Sequence, residues 1–148
     1  MGSILNEKDR RAIVARMQSL TASSTRRWGQ LDITGMLQHL QLSARMTLGE
    51  LEVPSVNKKP FQKFPLKHLA LYVLPFPKGA PTAPLLKPVD VSTFEEERGA
   101  LLELLERIGT GPREGVGPAH PLFGSLSWQE WGVVTYKHAD HHLKQFGA

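Results

Sequence analysis

Residues 127–145 read SWQEWGVVTYKHADHHLKQ. Ser127 followed three residues later by Glu130 is a capping-box pattern, which predicts a helix that starts at Ser127 and runs to about Gln145. At about 100° of rotation per residue, Trp131, Val134, His138, His141, His142 and Gln145 share one face. The upper part of that face is aromatic and apolar, so it belongs in a core. Its last two turns are polar. A buried polar group without a partner costs about 1–3 kcal/mol, so these side chains need partners. His138 and His142 stand four residues apart, which sets their rings one above the other and able to converge on one ion.

Outward from this helix, three more long helices are expected. Asn6 caps the first, with Glu7 and Asp9 in its opening turn and Ile13, Val14, Met17 and Leu20 on its apolar stripe. Asp32 caps the second, which reaches Leu48 and stops at Gly49. The third starts near Ser92, where Ser92 and Glu95 form a capping-box pattern. It buries Phe94, Leu101, Leu105 and Ile108, with Leu102 beside them, and ends at Gly109 and Gly111. Leu66 to Leu74, between Pro65 and Pro75, suits a short helix, a strand being the alternative. Five prolines between Pro75 and Pro88 exclude a long helix or a central strand and predict a rigid surface crossing. Gly115 to Pro118 is read as loop. The expected architecture is one all-α domain over residues 1–148. It is a four-helix bundle with one long crossover, roughly residues 50 to 90, that carries the short extra helix.

Composition narrows the function. A chain of 148 residues with 41% hydrophobic and 22% charged residues can bury one core. With no cysteine, disulfide scaffolds, thiolate metal sites and cysteine nucleophiles are excluded. The net charge of +4 is scattered. Its densest patch, Lys58, Lys59, Lys63 and Lys67, reads as a solvated surface, so no nucleic acid is expected as a partner. No apolar run approaches the roughly 20 residues of a membrane span, and no membrane is expected as a partner either. The N-terminus MGSILNEKDRR is charged where a signal peptide is apolar, and Asn6 breaks the myristoylation pattern. A soluble cytoplasmic protein is the expectation.

A third imidazole completes the constellation. His39 lies on the stripe of the second helix with Met36, Ser43 and Met46, and the small Gly35 and Ser43 leave room beside its ring. His39, His138 and His142 form a candidate three-histidine site for a divalent metal ion. Three protein ligands leave a position open for water or substrate. All-nitrogen ligation suits Zn, Ni, Fe or Cu without choosing among them. A surface pair or a hydrogen-bonded core pair is the alternative reading of such spacing. His141 is the spare: a contact to substrate or to a carboxylate, or a helix-boundary residue. Gln145 is a candidate to orient a ligand, or a helix-end side chain bonded to water. His120, opening HPLFG, either reaches the site mouth as an acid or base or pins its loop. Arg98 either meets an anionic substrate or extends from the bundle edge. Trp28, Trp128 and Trp131 are core anchors, and Trp131 is also a candidate pocket wall. No P-loop, dinucleotide fingerprint or GxSxG pattern is present, so an enzyme reading rests on the histidines.

Trp28, the MLQH at 36–39 and the KHADHHLKQ at 137–145 together resemble the DinB/YfiT-like superfamily of metal-binding helical bundles. The HPLFG at 120–124 and the HHLKQFG at 141–147 are similar to one branch of it. The resemblance spans nearly the whole chain. It implies a four-helix bundle with a divalent metal held by His39, His138 and His142, and it implies that His141 is not a ligand. It also implies thiol chemistry at the metal, as in a thiol-group transferase or a thiol-dependent isomerase, a small-molecule substrate such as a low-molecular-weight thiol, and a homodimer; a hydrolase that uses a metal-bound water is the other enzyme reading of the histidines. The alternative class is a non-enzymatic metal- or ligand-binding bundle.

Overall fold

The computed structural model describes residues 1–88 and 92–148. The long helices are α1 (Glu7–Ser19) and α2 (Ile33–Thr47) before the crossover, and α4 (Phe94–Gly109) and α5 (Trp128–Gln145) after it. A short α3 (Leu66–His68) runs on as a π turn (Leu69–Val73) inside the crossover. Val89 to Val91, where the crossover was expected to end, lie outside the described residues. No described helix is long and apolar enough to cross a membrane.

Local chemistry accounts for the helix ends. The Asn6 carboxamide accepts from the Asp9 amide, and Asp32 Oδ1 accepts from the Gly35 amide at 2.7 Å. Ser127 and Glu130 close the capping box of α5. The box of α4 is Thr93 with Glu96, one residue later than the expected Ser92 and Glu95. Two overlapping S/T-x-x-E patterns compete there. Ser92 instead bonds to Glu97, as Gln38 does from α2.

The fold is mainly helical, and an antiparallel hairpin corrects the all-α expectation. Strands β1 (Val116–His120) and β2 (Gly124–Ser127) pair with His120 opposite Gly124 and Val116 opposite Ser127, with an irregularity between. The pair is short and mostly half-exposed, so it leaves no period-2 apolar pattern to read. Its turn is held by His120, whose Nδ1 accepts from the Leu122 and Phe123 amides at 3.0 and 3.2 Å.

Helices α1 and α2 each pack against both α4 and α5. Ile13, Met17, Met36, Leu37, Leu101, Leu105 and Leu143 fill the space between them. A second apolar cluster lies under the crossover and hairpin: Met46, Leu71, Leu86, Phe123, Leu126 and Trp131. Lys137 fastens the crossover to α5, its ammonium donating to the Ala70 and Leu71 carbonyls. The crossover is thus laid firmly across α2 and α5, at the level of the histidines.

Candidate metal centre

Helix α2 brings His39 against α5, and α5 presents His138 and His142 one turn apart. His39 Nε2 lies 2.9 Å from His138 Nε2, which lies 3.1 Å from His142 Nε2. The three ring centroids are 4.8–4.9 Å apart and steeply inclined to one another. These residues form a group that could hold a metal ion. Tetrahedral bonds of about 2.05 Å set neighbouring nitrogens about 3.3 Å apart. The closest pairs therefore need to part by only a few tenths of an ångström.

Two of the rings are oriented from behind. The Leu86 carbonyl accepts from His39 Nδ1 at 2.8 Å, and Gln145 Oε1 accepts from His142 Nδ1 at 2.8 Å. A proton on Nδ1 leaves the lone pair on Nε2, so both rings aim an acceptor at the common point. Gln145 is itself held, its amide donating to the Trp28 carbonyl at 2.7 Å. Gly29 makes that possible. It has φ +85°, and a Cβ there would collide with the Gln145 amide nitrogen.

The surroundings keep the rings neutral. Burial lowers His39, against the Leu86 hydrogen bond that favours its charged form. Burial, then the neighbouring His39, lowers His142 to about 4. His138 is pushed well below the ordinary imidazole value, by burial first and then by His142 and His39. A neutral imidazole is the form a metal binds. His39 and His142 are only 5% and 9% exposed, whereas His138 is half-buried and marks the open side of the cluster. Phe76 from the crossover lies over that side, 5.8 Å from the His138 ring and 6.1 Å from the His141 ring.

The remaining candidates fall elsewhere. His141 meets His142 and Trp28 edge-on and lies tilted to Phe76, and it is not one of the converging three. His120 holds the hairpin turn and packs on Phe123 and Trp131. Trp131, 1% exposed, donates its indole N–H to the Pro118 carbonyl within the second cluster, so it anchors the hairpin. Arg98 donates to the Gln18 and Leu20 carbonyls and to Glu95, tying α4 to the end of α1. Gly35 serves its cap and not the His39 ring: a Cβ there would press on Asp32 Oδ1 at 2.9 Å. Sequence reasoning missed the Leu86 and Trp28 carbonyls and Phe76. A backbone carbonyl carries no residue signature, and Phe76 sits in a proline-rich run without periodicity.

Two outcomes follow from these contacts. Replacing Gln145 by Leu, or Gly29 by Ala, frees the His142 ring, and metal affinity measured by competition with a chelator falls by about 10–100-fold. His120 gives a pH signature. Burial lowers its pKa to about 4, against about 6.5 in the unfolded chain. Between those values the unfolded state binds more protons, so stability falls as the pH drops through this window, by on the order of 3 kcal/mol in full. In urea titrations of the apo protein, His120→Asn keeps an acceptor for the turn but loses less stability than wild type between pH 7 and pH 5.

No protein-family model, curated protein or solved structure matches the chain.

Proposed function

We propose that the chain is a DinB/YfiT-like four-helix bundle that holds one divalent ion through His39, His138 and His142 and acts as a thiol-group transferase or hydrolase. The observation that carries this reading is the convergence of three Nε2 atoms from two helices, two of them aimed by partners on Nδ1. The mutual packing of α1, α2, α4 and α5 supports the bundle. A bound ion would hold a substrate thiol as its thiolate, or lower the pKa of a bound water to about 7. The chain itself contains no cysteine, so the thiol belongs to the substrate, a small molecule such as a low-molecular-weight thiol. Leu86 and Gln145 hold two rings in register, and Phe76 limits water on the His138 side. We further propose a cytoplasmic protein that forms a homodimer.

A second reading, a non-enzymatic metal- or ligand-binding bundle, is favoured by one feature. The Phe76 ring covers the half-buried His138, where a substrate would enter. Metal-loaded, untagged protein distinguishes the two when given a low-molecular-weight thiol with an electrophile, and separately ester and amide substrates. The enzyme reading expects turnover that disappears in His138→Ala. A stoichiometric ion with no turnover of any of these supports the second reading.

A further inference from the structure

From Val53 to Pro88 the chain carries six lysines and no aspartate or glutamate. Helix α3 and its π turn bury Leu71, and Lys67 on the same side pairs with Glu130 at 3.1 Å and donates to the Ser125 carbonyl. The opposite side is left bare. Leu66 and Val73 are exposed on it, with Phe64, 83% exposed, before it and Leu74 after it. Lys58, Lys59 and Lys63 are exposed next to this patch, in and around the turn Lys59–Gln62 that packs on α3. Among the described residues none of these three makes an ion pair.

We infer that this face, Phe64, Leu66, Val73 and Leu74 with Lys58, Lys59 and Lys63, docks on an anionic membrane surface. Clustered apolar side chains on a surface mark a contact site, and the exposed lysines beside them favour a negatively charged partner. A second copy of the chain is a poor occupant, because it would bring the same lysines face to face. Single-stranded nucleic acid supplies the charge but binds through successive bases stacked on aromatic rings, and of the four apolar side chains only Phe64 carries a ring, while Leu66, Val73 and Leu74 are aliphatic. A bilayer interface takes both halves: aliphatic and aromatic side chains enter the acyl boundary while the ammonium groups stay at the headgroups. That no described helix is long and apolar enough to cross a membrane does not bear on this contact. The lysines read as a solvated patch in sequence because only the folded chain shows which side of α3 stays uncovered. The inference is independent of the metal.

The test sediments the full chain with phosphatidylcholine vesicles, with and without phosphatidylserine. The wild type pellets with the phosphatidylserine vesicles, stays in solution with phosphatidylcholine alone, and is released by salt. The double variant Phe64→Ser, Leu74→Ser and the triple variant Lys58→Glu, Lys59→Glu, Lys63→Glu each lower the partition by about tenfold or more. Circular dichroism is unchanged in both, since every altered side chain is exposed. No binding to the phosphatidylserine vesicles overturns the inference, as does binding that neither variant reduces. Binding to a short single-stranded oligonucleotide, to an acidic protein or to a second copy, in place of vesicles, overturns it in favour of that occupant.

Discussion

His138→Ala yields a folded protein that no longer retains a metal ion. Untagged wild type carries about one divalent ion per chain by elemental analysis, and the variant carries close to none. His138 Nε2 lies within 3.1 Å of both partner nitrogens, so it is the ring through which the other two are joined. Losing an orienting partner costs about 10–100-fold in affinity, and losing a ligand costs more than that. The loss also reads out in stability. An ion at about a thousand times its Kd adds about 4 kcal/mol, roughly 8–16 °C in a chain of this size. A chelator therefore lowers the melting temperature of the wild type and leaves that of His138→Ala unmoved. The fold survives because the half-buried ring is not part of either apolar cluster. If the variant keeps a stoichiometric ion, or a chelator does not move the wild type, the three-histidine centre is refuted.

Trp131→Ala destabilises the protein by about 3–5 kcal/mol, measured by urea unfolding. The side chain is among the largest that are fully buried, and it reaches from α5 into the cluster under the hairpin and the crossover. Its removal leaves a cavity lined by Leu71, Phe123 and Leu126 and orphans the Pro118 carbonyl. The hairpin should loosen first, since Trp131 packs on Gly117 and His120. Folded protein retains its ion, because Trp131 touches none of the three rings in the ring contacts described. The opposite result, unchanged stability with altered metal binding, would return Trp131 to the wall of the site.

The long helices were legible because their signals are local. Asn6, Asp32 and the Ser127–Glu130 pair make the bonds that their sequence patterns predict. The α4 start shows the limit of that logic. Two overlapping capping patterns read equally well, and contacts from α2 to Ser92 and Glu97 decide between them. The hairpin was not legible, because two short strands joined through His120 and backbone amides leave no apolar rhythm.

The histidines divide in the same way. Spacing and helical phase alone put His138 and His142 on one inward face and picked out His39 as the matching ring on another helix. Helix geometry is a property of neighbours in sequence, so a few residues suffice to read it. What orients those rings comes from far along the chain: Leu86 lies 47 residues from His39, and Trp28 lies 117 residues from Gln145. Those contacts exist only once Leu71, Leu86 and Trp131 have packed the crossover onto α2 and α5. The same packing covers one side of α3 and leaves Phe64, Leu66 and Val73 bare. Burial is a property of the assembled core, and periodicity along eight residues of a helix inside a loop does not specify which side another element will cover.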